Sequence, residues 1–479
     1  MEQSKKIRWY TLAFMAFSTV WGFGNVLNGF VYFNGVQVIF SWILMFLLYF
    51  VPYALMVGEL GSAFKNVGGG VSSWVHETMG PKVAYYAGFT YWACHITYIA
   101  SKGTGGLKAI SWILWRNGTT ISSIPTVYIQ LATFAVFLFF CFVASRGLQP
   151  LKQLTTIAGT SMFVMSILYI LMMFAAPAIN PNAGYVTMDL SLKNLIPQFN
   201  VNYFTSLSIL VFAVGGCEKI SPYVNKVNDP EHEFPKGMIT LAIMVMVCAI
   251  LGTIAMGMMF DPADIAANFD AYNANGSYWA FQKLGQYYGM GDLLMIIYAA
   301  CNAIGQFSTL VLSIDAPLRM LLDNASNHEF IPSKLLKKNK YGAYINGIRL
   351  VAVLSGSLIL IQAFVPNADA VLTQLTKLNS VCMTLRYLWV FAAYIALRTA
   401  ANYVKFPAEY RFVKSQTLAR LAGIWCFVVT AACDILGMYD TNAFTMALKV
   451  CAPLILLALG LILPFLAKRE RAQQENAEA

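Results

Sequence analysis

The sequence predicts an all-α membrane protein with twelve transmembrane helices. Two observations predict it. The first is composition: 58% of the 479 residues are hydrophobic and only 11% are charged. Soluble domains hold about 45–50% apolar and about 25% charged residues. The second is arrangement: the apolar residues fall into twelve runs, each close to the ~20 residues a helix needs to cross the hydrocarbon. Soluble, disordered and collagen-like chains are excluded on the same grounds. The net charge of +10 would suit nucleic acid in a soluble chain. In a membrane chain it reflects Lys and Arg held on the cytoplasmic side, and no nucleic-acid partner is expected.

The first run, 9–33, follows Met1-Glu2-Gln3-Ser4-Lys5-Lys6 directly. It lacks a small-residue cleavage site and is too long for a signal peptide, so it is expected to span. The others are 36–58, 84–112, 126–145, 153–176, 203–224, 236–260, 291–318, 343–365, 371–397, 417–438 and 444–467. The third is the long one and is expected to tilt. With both termini inside, 23 of the 32 Lys and Arg fall in cytoplasmic segments or at the cytoplasmic ends of spans (Lys236, Arg349 and Arg420), and six fall deeper within spans. Only Arg116, Lys193 and Lys283 fall outside. The opposite topology reverses this bias, so a multi-pass protein of the cell membrane with cytoplasmic N- and C-termini is expected.

The polar segments between runs are short, and none is large enough for a soluble domain. The four His (His76, His95, His232, His328) show no metal-ligand spacing, and the nine Cys are scattered without a CxxC pair. No cofactor, metal, disulfide framework or catalytic constellation is expected, so the chain is not read as an enzyme.

Two runs are interrupted at matching places. The first contains Trp21-Gly22-Phe23-Gly24-Asn25 and the sixth Val214-Gly215-Gly216-Cys217-Glu218. Gly inside a helix costs about 0.5–1 kcal/mol relative to Ala. Unwinding frees backbone groups that lipid cannot satisfy, so breaks persist only against protein or a watery cavity. Freed N–H groups suit a carboxylate, and freed C=O groups suit an ammonium. An α-amino acid carries both charges. Gly-interrupted spans at corresponding positions of two halves point to a transporter's binding site. Close helix packing is the other use of such glycines.

The flanks decide between these uses. Phe212-Ala213-Val214-Gly215-Gly216-Cys217-Glu218, then Asn228-Asp229-Pro230 and Phe234-Pro235-Lys236-Gly237, resembles the sixth-span signature of the amino acid–polyamine–organocation (APC) superfamily. Gly22-Phe23-Gly24 is similar to that family's G-x-G break. Glu59-Leu60-Gly61-Ser62-Ala63-Phe64, with Gly68-Gly69-Gly70, resembles its second-span motif, and Ala316-Pro317-Leu318-Arg319 through Ile331-Pro332 its loop after span eight. The Gly-Gly-x-Glu-Lys run is most like the glutamate/GABA antiporter branch. The resemblance implies a LeuT-like five-plus-five inverted repeat with helices 1 and 6 broken, plus two additional helices. Its repeats are then 9–176 and 203–397, followed by helices over 417–467 and a cytoplasmic tail at 468–479, all one transporter unit. Three departures stand out. Phe23 replaces a small polar residue, Lys65 a proline, and the fifth span lacks the Lys that proton-coupled relatives use.

The resemblance and the cost of charge at membrane depth together select candidates. Substrate-binding candidates are Gly22, Phe23, Gly24, Ala213, Gly215 and Gly216 at the breaks, and Phe212 as the aromatic that closes over the substrate. Tyr91, Trp92 and Lys102 on span three, Cys301 and Asn302 on span eight and Lys377 on span ten join them. Glu218, just past the second break, is the gating or coupling candidate, with an ion pair to Lys219 as the alternative. Two intramembrane lysines favour a substrate with a second carboxylate, such as glutamate or aspartate, although Lys102 can instead pair with Asp292 or Asp434, and Lys377 with Asp369. The expected function is secondary active transport: exchange of an amino acid for a related one or its decarboxylated amine, by alternating access. Proton- or sodium-coupled symport is the alternative, and a channel or receptor-like membrane protein the alternative of another class. The expected partners are the small-molecule substrate and the lipid bilayer, with oligomeric state open.

Overall fold

The computed structural model describes residues 6–365 and 368–478. The architecture is all-helical: apart from two isolated bridges, no strand pairing occurs among the described residues. Helices α1 (Trp9–Val20) and α2 (Phe23–Tyr32) share the first apolar run. The second is α3, a continuous helix over Gly35–Ala63 with a π turn at Phe46–Phe50. A short α4 (Val71–Met79) leads into the 35-residue α5 (Pro81–Trp115). Then come α6 (Thr126–Ser145), α7 (Leu148–Ile179), α8 (Val201–Val214) and a 3-10 segment, Cys217–Lys226. The second half holds α9 (Pro230–Gly257), α10 (Phe269–Tyr287), α11 (Leu293–Leu322), α12 (Ile345–Phe364), α13 (Ala368–Leu385) and α14 (Leu388–Leu397). The chain finishes with α15 (Gln416–Met438), α16 (Ala443–Leu459) and α17 (Ile462–Glu478).

Among the described residues, ten segments are long and apolar enough to cross a membrane. Two expected spans fall short of that standard for different reasons. The run 9–33 is cut into helices of 12 and 10 residues. The run 84–112 lies in a helix of ample length, but Gly, Thr, Ser, Lys and His dilute its apolar character. The run 371–397, expected as one helix, is two. A turn at Arg386–Tyr387 interrupts it, with Tyr387 N–H donating to Thr384 O at 3.0 Å and Val390 N–H to Tyr387 O at 3.0 Å. Such mid-helix tightening to three-residue hydrogen bonds often marks a functional position.

Packing follows helix pairs far apart in sequence: α5 on α11, α3 on α9, α6 on α12, and α1 on both α7 and α9. The long α5–α11 contact forms the centre of the core, where Trp112 and Tyr298 are buried. Helices α15 and α16 stand outside it and present large apolar side chains outward, among them Leu418, Val428, Ile435, Phe444 and Leu454. That is what a helix in contact with hydrocarbon requires.

Two buried charge clusters tie core elements together. Glu59, at the end of α3, is fully buried. It accepts from Arg398 (2.5 Å), Arg411 (3.2 Å), Tyr394 (3.0 Å) and the Phe412 N–H (3.0 Å). This ties α3 to the end of α14 and the loop beyond it. Asp315 accepts from Arg319 at 2.6 Å and Tyr223 at 2.7 Å. A buried pair loses about 3–5 kcal/mol when one partner is removed, so each cluster is a strong tie between its elements.

Candidate functional site

The two predicted breaks are real and adjacent. Helix α1 ends at Val20, and Trp21 and Gly22 are extended before α2 begins at Phe23. Helix α8 ends at Val214. Gly215 is extended, and Gly216 has φ +107° before the 3-10 segment. Only a residue without Cβ takes that left-handed conformation cheaply. Gly215 is needed for space: a Cβ there would meet the Tyr387 ring at 2.4 Å. One side chain serves both breaks. Asn25 Nδ2 donates to Val20 O and to Ala213 O, each at 3.2 Å, and so satisfies a freed carbonyl of each helix. The first N–H groups of α2 have no partner within the helix.

A cavity of about 420 Å³ opens between these breaks and α5, α10, α11 and the Arg386–Tyr387 turn. That volume suits a small molecule. Of the residues expected to bind substrate, Gly22, Gly24, Lys102, Phe212, Ala213, Gly215, Gly216 and Asn302 line it. Phe212 is 41% exposed. Four expected residues lie off the wall. Phe23 is fully buried against Tyr169, Phe281 and Tyr298. As the first α2 residue it faces the core, where an aromatic cluster stacks. Tyr91 is buried behind Arg386, whose guanidinium lies 5.0 Å from the Tyr91 ring centroid. Trp92 packs on Phe89, and Cys301 packs against the core. Lys377 belongs to α13, but its side chain lies outside the described residues.

Glu218 is fully buried. Tyr53 of α3 donates to its Oε2, and Oε1 has no hydrogen-bond partner among the described residues. The expected alternative, an ion pair with Lys219, is absent there: Lys219 Nζ donates to Ser313 Oγ at 2.7 Å. Lys102 does not reach the acids considered as its partners. Asp292 accepts from Gln282 at 3.0 Å, and Asp434 accepts from Thr384. Thr309 Oγ1 lies 2.9 Å from Gly305 O and 3.1 Å from Ser18 O.

The charge on the cavity wall exceeds expectation. Beside Lys102 stand Lys108, Lys219 and Arg386, and none of the described lining residues is Asp or Glu. Lys102 and Lys219 bracket the Tyr98 ring, at 4.6 and 5.3 Å from its centroid. Lys108 donates to Ala274 O at 2.7 Å. Sequence reasoning left out Lys108, Arg386 and Asn25, and treated Lys219 only as a partner. The signal for the cations was available, since any cation inside an apolar run is a functional candidate. Nothing in the sequence pointed to Asn25.

Comparison with known proteins gives the family. A family model described as amino acid permease matches residues 7–432. The aspartate/glutamate permease AcaP of Lactococcus lactis subsp. cremoris is 46% identical over 99% of this chain and 98% of its own length. The inner membrane transporter YjeM of Salmonella typhimurium is 25% identical over 89% of each chain. A glutamate/gamma-aminobutyrate antiporter of Lactococcus lactis subsp. lactis is 22% identical over 64% of this chain and 59% of its own. The chain belongs to the amino acid permease family of the APC superfamily. It is a multi-pass membrane protein that transports amino acids, and a transporter rather than an enzyme.

Proposed function

We propose that this permease carries acidic amino acids, by exchange and alternating access. The observation that carries this is the cavity wall, with four cations and no described acid. Glutamate and aspartate bring two carboxylates and one ammonium, a net negative charge that such a wall favours. The name of the relative at 46% identity points the same way.

The α-carboxylate sits at the N–H groups around Gly22, Phe23, Gly24 and Gly216, with Gly215, whose own N–H donates to Val211 O at 3.0 Å, leaving the backbone room; the ammonium sits near the carbonyl ends of α1 and α8. Phe212 closes over the substrate, its face available to the ammonium. Glu218, held by Tyr53, links the second break to α3 and serves gating or coupling.

Twelve spans in two inverted repeats, 9–176 and 203–397, with further helices over 417–467, complete the proposal. Its support is the pairing of helices. Counting runs in order, span two packs on seven, three on eight and four on nine, always five apart. The broken spans, one and six, follow the same offset. The Lys and Arg distribution supports cytoplasmic N- and C-termini.

Purified protein in liposomes with and without internal glutamate tests this. Labelled glutamate is expected to accumulate only in loaded vesicles. Equal uptake into empty vesicles refutes exchange, and no glutamate uptake in either refutes the acidic substrate.

A further inference from the structure

The buried arginines of this protein differ in one respect. Arg398 is held by Glu59 at 2.5 Å, and Arg319 by Asp315 at 2.6 Å. Arg386 is just as buried, 4% exposed, yet pairs with no carboxylate among the described residues. Its Nε has no hydrogen-bond partner there at all. A guanidinium in a low-dielectric interior is costly unless paired. Arg398 and Arg319 meet that need within the protein. Arg386 is the one of the three that lines the cavity.

Its surroundings hold it ready. Arg386 sits in the two-residue interruption between α13 and α14, so its position is set by a turn rather than by a helix. Next to it, Tyr387 packs against Gly215 at the second break. His95 fixes one end of the guanidinium. Its Nδ1 lies 2.6 Å from Tyr91 O, and a carbonyl only accepts, so Nδ1 carries the hydrogen. Arg386 Nη1 lies 3.1 Å from both ring nitrogens, and with the Nδ1 hydrogen given to Tyr91 O, Nε2 is the one left to accept. The Tyr91 and Tyr387 rings flank the guanidinium, with centroids at 5.0 and 5.2 Å. The planar fork is therefore oriented, and its buried Nε has no acceptor among the described residues.

The other three cations are less suited to the task. Lys219 is already a donor to Ser313, Lys108 to Ala274, and Lys102 lies partly exposed over Tyr98.

We propose that Arg386 binds the side-chain carboxylate of the substrate and so selects acidic amino acids over their amides, with His95 as its positioning residue. Arg386 takes this role only if the substrate is acidic, as proposed above. Arginine suits a carboxylate because its donors match both oxygens. Losing one partner of a buried, hydrogen-bonded charge pair typically costs binding heavily. A site built to hydrogen-bond one group also rejects the analogue that lacks it.

Equilibrium binding of labelled glutamate and labelled glutamine to the detergent-purified full chain tests this. In Arg386→Gln, glutamate affinity is expected to fall on the order of 100-fold, with glutamine affinity held or improved. Arg386→Lys is expected to lose less, since an ammonium keeps the charge without the fork. His95→Gln is expected to lower the preference for glutamate without weakening glutamine. Wild-type glutamate affinity in Arg386→Gln, or an equal loss for both ligands, overturns the assignment. If Arg386→Gln is not recovered folded, Arg386→Lys decides by the same criterion. Wild-type protein that binds both ligands equally overturns the acidic-substrate proposal itself, before any variant is read.

Discussion

Gly215 and Gly216 show how much a missing side chain specifies. Gly216 adopts φ +107°, and a Cβ on Gly215 would press into Tyr387 at 2.4 Å. Tyr387 is buried and adjoins Arg386, so the ring cannot yield without moving the turn that presents the guanidinium. Overpacking of this kind costs about 1–3 kcal/mol. Gly215→Ala is therefore expected to insert and remain monodisperse while binding glutamate roughly 10- to 100-fold more weakly. Isothermal titration of the purified variant measures this. These two glycines were legible in the sequence because they interrupt an apolar run. Phe23 was misplaced for a physical reason: side-chain direction follows from helix phase, and the break resets that phase. Phe23 begins a new helix and turns toward Tyr169 and Phe281.

At the scale of elements, breaks and ties divide the labour. The breaks in the first, sixth and tenth runs surround the cavity, and Asn25 joins the first two. The turn at Arg386–Tyr387 was not legible, because no Gly or Pro marks it. The end of α11 shows a tie. Asp323 accepts from Lys338 at 2.8 Å and from Tyr344 at 2.7 Å, and lies 3.5 Å from Arg319. Burial alone would raise the Asp323 carboxyl, but Arg319, Lys338 and Tyr344 outweigh it and hold it below the usual carboxylate range. A carboxyl depressed in the folded state contributes stability above its unfolded value of about 3.9. That stability is lost as pH falls through the lower folded value. Asp323→Asn is thus expected to lower thermal stability at pH 7. The gap to wild type should narrow only below about pH 4. Melting curves across pH test this. A gap that closes between pH 7 and pH 5 would assign the stability to another group.

For the whole molecule, composition and the length of the apolar runs already marked the ten segments long and apolar enough to span, because the bilayer demands long apolar runs whatever the tertiary detail. The family was legible in the glycine breaks and their flanks, and the comparisons bear it out. The cavity's charge was only half legible. Lys102 stood out as an intramembrane cation, while Arg386 and Lys108 did so equally and drew no notice. What assembles these four cations is the packing of the third, sixth and tenth runs, which no single segment encodes. The central claim is that this wall selects acidic amino acids. Displacement of labelled glutamate from the purified permease by unlabelled aspartate, glutamine and lysine tests it most directly. Aspartate is expected to displace glutamate, with glutamine and lysine ineffective at equal concentration. Displacement by lysine or glutamine as strong as by aspartate would contradict it.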